Sequence, residues 1–153
     1  VRTGTAAGAH GTVVDGPRAA ALWLPPGQEL GLRSMLRSRL AMPRMVLRMS
    51  PGEARAMLRT VTWMDRRRAA LVPAPHWYLW VVGVEPQMHG RGLGTLLVRE
   101  GLARADKDGV PAYLETETEG NVGFYEGLGF TVLEHVVPPG IAVPLWLMAR
   151  RPA

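Results

Sequence analysis

An α/β domain is predicted by three stretches read in order. Trp77–Val84 is an aromatic and β-branched run of the kind that fills a buried central strand. Gly90, Gly92 and Gly94 follow in one loop, and Thr95–Asp106 then carries Leu96, Leu97, Leu102 and Ala103 at helical spacing. Ala112–Thr116 reads as a second strand, so strand, glycine loop, helix and strand form a βαβ-like unit. With 153 residues, 47% hydrophobic and 20% charged, the chain has the size and balance of one compact domain.

The remaining elements follow from local chemistry. Residues 1–16, rich in Gly, Ala and Thr, predict a frayed strand and a hairpin with its turn at Asp15-Gly16. Ala19–Leu24 is a small apolar strand stopped by Pro25-Pro26-Gly27. Between Leu30 and Arg48 the spacing of Leu32, Met35, Leu36 and Leu40 predicts two helical pieces broken at Pro43. Ser50-Pro51-Gly52-Glu53 is a helix start with Ser as cap, Pro at the first position and Glu completing a capping box. The helix it opens puts Ala54, Met57, Leu58, Val61 and Met64 on one face, with Arg55, Arg59 and Arg66-Arg67-Arg68 mostly off it in solvent. A linker, Pro73-Ala74-Pro75, precedes the central strand. Asn121–Leu128 is a short helix closed by Gly129, and Phe130–Val137 and Val143–Met148 are two further strands.

Composition removes several function classes. With no cysteine, thiolate catalysis, zinc ribbons and disulfides drop out, and a cytoplasmic location is the expectation. The four histidines are scattered and none forms the i, i+4 pair of a helical zinc site, so no metal is expected. Ser34, Ser38 and Ser50 lie outside any G-x-S-x-G turn. Trp77–Val84, the longest near-continuous apolar run, is far short of the roughly 20 residues a spanning helix needs, and nothing after Val1 reads as a signal peptide. The formal net charge is +5, and of the 18 basic residues only Lys107 is lysine. Such a balance suits an anionic cofactor or nucleic acid. The absence of interleaved aromatics or a known nucleic-acid module argues against the second.

The glycine loop is the chemical signal. Glycines let backbone amides approach an oxyanion, and the helix that follows adds its positive end, which makes a phosphate-bearing ligand the natural guest. A Walker A loop fails, because Lys107 lies elsewhere. A dinucleotide G-x-G-x-x-G fails in both registers, at Thr95 and at Leu97, although Glu115 ends the second strand where a ribose-binding acid would sit.

His89-Gly90-Arg91-Gly92-Leu93-Gly94 resembles the acetyl-CoA loop of the GNAT superfamily of N-acetyltransferases, which runs Gln or Arg, two residues, Gly, one residue, Gly or Ala; His89 stands in the Gln/Arg place. Asn121, Phe124, Tyr125, Glu126, Gly129 and Phe130 resemble the family's second pattern. Leu114-Glu115-Thr116 and Pro75-His76-Trp77-Tyr78-Leu79 look most like the puromycin-type branch, and the likeness extends from about His76 to Arg150. The resemblance implies a mixed, mostly antiparallel sheet with a splayed central strand and flanking helices, in one domain over 1–153. The hairpin and helices would occupy 1–75 and an acetyl-CoA-binding core 76–150.

It also implies the roles. Val82, Gly83 and Val84 would pair with the pantetheine arm, and amides from Gly90 through Arg91, Gly92, Leu93 and Gly94 to Thr95 would hold the pyrophosphate. His89, Asn121 and Phe124 would complete the cofactor site, and Tyr125 would protonate the departing thiolate. Direct attack by an amine needs a base. Glu115 is the first candidate and Glu85 the second, with His76 a third that could equally cap the strand. The acceptor would be the primary amine of a small molecule, drawn by Glu115, Glu117 and Glu119. A domain that binds CoA without turnover is the other reading of His89. The family normally begins with a strand and one or two helices ahead of the hairpin. Either about 40–60 residues precede Val1, or a trimmed fold closes its edge through a second copy as a homodimer.

Overall fold

The computed structural model describes residues 2–6, 9–14, 18–28, 48–72 and 75–153. The predicted turn at Asp15-Gly16, the helical pieces between Leu30 and Arg48, and Pro73-Ala74 lie outside the described residues.

Among the described residues seven strands form one sheet: β1 (Arg2–Ala6), β2 (Ala9–Val14), β3 (Ala19–Leu24), β4 (Trp77–Val84), β5 (Ala112–Thr116), β6 (Thr131–Val136) and β7 (Leu145–Arg150), in the order β1-β2-β3-β4-β5-β7-β6. Every neighbouring pair is antiparallel except β4 with β5. The βαβ-like unit is therefore present, set in the mixed sheet that the resemblance implies.

Among the described residues three helices flank the sheet: α1 (Pro51–Leu71), α2 (Leu93–Asp108) and α3 (Val122–Glu126). The capping box at Ser50 forms as read, with the Glu53 amide donating to Ser50 Oγ and the Ser50 amide donating to Glu53 Oε2 at 2.7 Å. Helix α2 starts two residues earlier than expected because Gly92, with φ +73°, makes the left-handed bend that lets the helix begin at once. Helix α3 is shorter than expected, since Glu119–Asn121 form a 3-10 turn ahead of it. The last strand begins only after Pro144, which has no N–H to give to the ladder, and runs on to Arg150 because β5 and β6 both pair with it.

Alternation along the strands divides the core. Ala19, Ala21, Trp23, Trp77, Leu79, Ala112 and Leu114 meet Leu97, Val98, Leu102 and Ala105 of α2. Leu24, Tyr78, Tyr113, Leu145 and Leu147 meet Trp63, Met64 and Leu71 of α1. Helix α2 approaches so closely over Trp23 that a Cβ at Gly101 would lie 2.0 Å from its ring. On α1 the expected face is corrected at two places. Leu58 is exposed, and Arg68, expected in solvent, is only 5% exposed. Its guanidinium lies 4.8 Å from the centre of the Tyr78 ring and donates to Asp65 at 2.6 Å, so a cation–π contact and an ion pair replace the water it gives up.

Candidate active site

Two irregularities in β4 shape the site. Trp23 pairs with Leu79 and Leu22 with Val81, which leaves Trp80 as an extra residue in a β-bulge. The extra residue resets the alternation, so Val82 and Val84 join Leu79 on the α2 side. The parallel pairing with β5 stops at Leu79 and Leu114, while β4 continues to Val84. From Trp80 onward the backbone of β4 has no strand partner on its β5 side among the described residues, and the two strands form an open wedge.

The connection from β4 to α2 is braced from within. A 3-10 turn covers Pro86–Met88, and the His89 ring, through Nε2, donates to the Val84 carbonyl at 2.9 Å. Gly90 and Gly92 both adopt positive φ. No side chain caps α2, and its first internal bond runs from the Leu96 amide to the Gly92 carbonyl at 3.0 Å. The amides of Leu93, Gly94 and Thr95 therefore have no acceptor within the helix, at the end where its dipole is positive.

Helix α3 supplies the opposite wall. Tyr125 is 6% exposed and packs edge-on against Phe124 and Phe130, with ring centres 5.0 and 5.9 Å away. Burial pushes its phenol above the ordinary tyrosine range, which keeps it protonated at neutral pH. The Asn121 side chain donates to Thr116 Oγ1 at 3.3 Å, which ties the start of α3 to the end of β5.

These walls enclose a cleft of about 440 Å³. Val82, Gly83, Val84, His89, Gly90, Gly92, Leu93, Gly94, Thr95, Asn121, Phe124 and Tyr125 all line it. Met88, buried in the 3-10 turn, lines it too; an apolar residue inside a polar loop was its only signal in the sequence. Arg91 does not line it, so among the expected cofactor residues it stands apart. Among the described residues, no three His, Cys, Asp or Glu side chains gather as they would around a metal.

Neither of the two candidate bases lines the cleft. Glu85 is half-exposed and sits 3.9 Å from Arg18. Glu115 faces α1, because alternation along β5 sends Tyr113 and Glu115 to that side while Leu114 goes to the α2 core. Its Oε2 accepts a hydrogen bond from the Tyr78 hydroxyl, and its Oε1 has no hydrogen-bond partner among the described residues. The Tyr113 hydroxyl lies near Glu115 and makes no hydrogen bond of normal geometry. Burial raises the Glu115 carboxyl above the usual range, with the Tyr78 bond and the field of Arg68 acting against it. His76 packs edge-on against Tyr113 at 6.1 Å on that same side.

The profile of the Acetyltransferase (GNAT) family matches residues 28–130. The chain belongs to the GNAT acetyltransferase family. Segments of the chain are similar to mycothiol acetyltransferases. The protein of Nocardioides sp. is 41% identical over 56 residues, covering 35% of this chain and 19% of that protein. The protein of Corynebacterium efficiens is 44% identical over 63 residues, 39% of this chain and 21% of its own. An uncharacterized N-acetyltransferase of Schizosaccharomyces pombe is 33% identical over 78 residues, 50% of this chain and 32% of that one. This GNAT chain thus aligns with about a fifth of the mycothiol acetyltransferases and a third of the yeast protein. Its fold matches a solved structure from Corynebacterium glutamicum, titled as histone acetyltransferase HPA2 and related acetyltransferase, with TM-score 0.59 at 23% identity over 95% of this chain and 66% of that one. A GNAT-family structure from Desulfovibrio desulfuricans gives TM-score 0.53 at 16% identity, over 95% and 71%.

Proposed function

We propose that this chain binds acetyl-CoA in the cleft and transfers the acetyl group to a primary amine of a small molecule. One observation carries the reading: a single cleft brings together the uncapped start of α2, the unpaired edge of β4 and the buried phenol of Tyr125. The residues present fit such a guest. Free amides beside positive-φ glycines suit a pyrophosphate, and a strand edge lined by Val82 and Val84 suits a long, amide-bearing arm. Membership of the GNAT family and the matches to mycothiol acetyltransferases support it. In this reading 1–153 is one acetyltransferase domain with 76–150 as its cofactor-binding core, working in the cytoplasm, where acetyl-CoA circulates.

Acetyl-CoA supplies the activated acetyl group. The chain's part is to bind, orient and move protons. Amides from Gly90 to Thr95 hold the phosphates, and His89 keeps that loop clipped to β4. Backbone N–H groups on the open edge of β4 donate to the carbonyl oxygen as negative charge develops on it. Tyr125, a phenol that is neutral at pH 7, gives its proton to the departing thiolate. Glu115 beside the wedge takes the proton of the attacking amine, a role its raised pKa suits; Glu85, paired with Arg18, is the weaker choice.

Calorimetry with acetyl-CoA, followed by thiol release against a panel of primary amines, tests the proposal. The expected result is acetyl-CoA binding and CoA release that depends on an amine. Absence of binding overturns it, and binding without release for any amine leaves a CoA-binding sensor domain instead.

A further inference from the structure

The cleft lies on the α2 face of the wedge between β4 and β5, along Val82 and Val84. On the α1 face the lips of the wedge belong to two different chemistries. Strand pairing ends at Leu79 and Leu114, so the next residues along the diverging strands are Trp80 and Glu115. Trp77, Tyr78 and Leu79 are 4%, 8% and 3% exposed, yet the next two residues of this central strand, Trp80 and Val81, are 47% and 49% exposed. The bulge explains how. Leu79 and Val82 both pack on the α2 core, which leaves Trp80 and Val81 together off that core, opposite Leu22. A large indole held open in the middle of a sheet, at the mouth of a wedge, is an apolar platform awaiting a contact.

The opposite lip is acidic. Glu115 is fixed by the Tyr78 hydroxyl, and beyond the end of β5 the chain adds Glu117 and Glu119, both exposed. The buried cation on this side, Arg68, donates to Asp65 at 2.6 Å, which offsets part of its field at Glu115. An incoming cation with an apolar body would match both lips at once.

The geometry points to an acceptor of defined class: a small amine, charged as an ammonium ion in solution, attached to an aromatic or flat apolar framework. The framework stacks on Trp80 beside Val81, and the acidic lip draws the ammonium to the wedge. Trp80 is then a specificity-determining residue. This inference rests on the acetyl-transfer reading above and deepens it.

The test compares phenethylamine with n-butylamine, which share the ammonium and differ in the ring, in wild type, Trp80→Phe and Trp80→Ala. Thiol release gives kcat and KM for each amine, and calorimetry gives amine binding to the protein with CoA present. Wild type is expected to favour phenethylamine by about tenfold in kcat/KM, mostly through KM. Trp80→Phe keeps most of that preference, and Trp80→Ala abolishes it with the affinity for acetyl-CoA unchanged. Equal use of the two amines by wild type, or an unaltered preference in Trp80→Ala, overturns the inference. Failure of the underlying reading shows differently, as absence of acetyl-CoA binding or of any acetyl transfer. In that event calorimetric binding of the two amines to wild type and Trp80→Ala still decides whether Trp80 selects them. Trp80→Phe, which retains a ring, serves as the folded control if Trp80→Ala is unstable.

Discussion

Against α2 the sheet presents Ala19, Ala21, Trp23, Leu79 and Leu114, and the helix answers with Leu97, Val98 and Ala105, none of them exposed. Against α1 the same strands present Tyr78, Tyr113 and Glu115, and that helix answers with a buried Arg68 and a buried Thr60, whose hydroxyl bonds the Pro139 carbonyl at 2.9 Å. The first face is mostly apolar and tightly fitted, with the Trp23 indole N–H buried without a hydrogen-bond partner among the described residues, and its packing holds the start of α2 and the Tyr125 phenol to one cleft. The second contains hydroxyls and a carboxylate with unused hydrogen-bonding capacity, which costs stability and leaves groups that can exchange protons. In the proposed reaction the cofactor cleft and the Tyr125 acid lie on the α2 face and the Glu115 base on the α1 face, and the wedge between β4 and β5 is where the two faces meet.

The comparison is most sharply tested at Tyr125. If it is the proton donor on the fitted face, Tyr125→Phe lowers kcat on the order of 10²–10³-fold while acetyl-CoA affinity stays within about twofold. Steady-state thiol release and calorimetry on the same preparation separate the two quantities, and an unchanged kcat removes the assignment. Next in size is the tight packing itself. Gly101→Ala forces a Cβ into the Trp23 ring, and a loss of about 3 kcal/mol in urea unfolding is expected; a neutral result would show that the α2 face yields more than its fit suggests.

The smallest effect belongs to the polar face and depends on pH. Burial raises the folded-state pKa of Glu115 above the ordinary value of 4.5. As pH rises past that value the unfolded chain ionises first, so wild type loses stability until the folded carboxyl ionises as well. Glu115→Gln, which keeps an acceptor for Tyr78, is expected to unfold at a higher temperature than wild type near pH 8 and to show no advantage near pH 4. Thermal unfolding at both pH values checks the sign, and a variant less stable at pH 8 would mean that the carboxylate is held by more than Tyr78.

Much of this molecule could be read directly. The bounds of β3, β4 and β5 agree with the sequence reading residue for residue, because apolar and aromatic runs flanked by proline, glycine or acidic loops leave little choice. The capping box at Ser50 and the two positive-φ glycines ahead of α2 are chemical signals of the same local kind. They located one helix start and the cleft without any knowledge of what lay nearby. The pattern from Asn121 to Phe130 brought the opposite wall.

Other features are properties of pairing, which no local stretch records. A single extra residue at Trp80 turns Val82 and Val84 toward α2, since strand alternation has a period of two and one insertion inverts it. The wedge exists because β4 outruns its pairing with β5. The face that Glu115 takes follows from its register with Tyr78 and from the position of α1. Arg68 is buried because Tyr78 and Asp65, one distant and one near in sequence, meet around it. The sequence by itself determined which of the described segments are strands and helices and where free amides gather ahead of α2, because those depend on neighbours along the chain. Only the tertiary structure decided which side chains share a face and which carboxylate lies at the wedge, because those depend on neighbours across it.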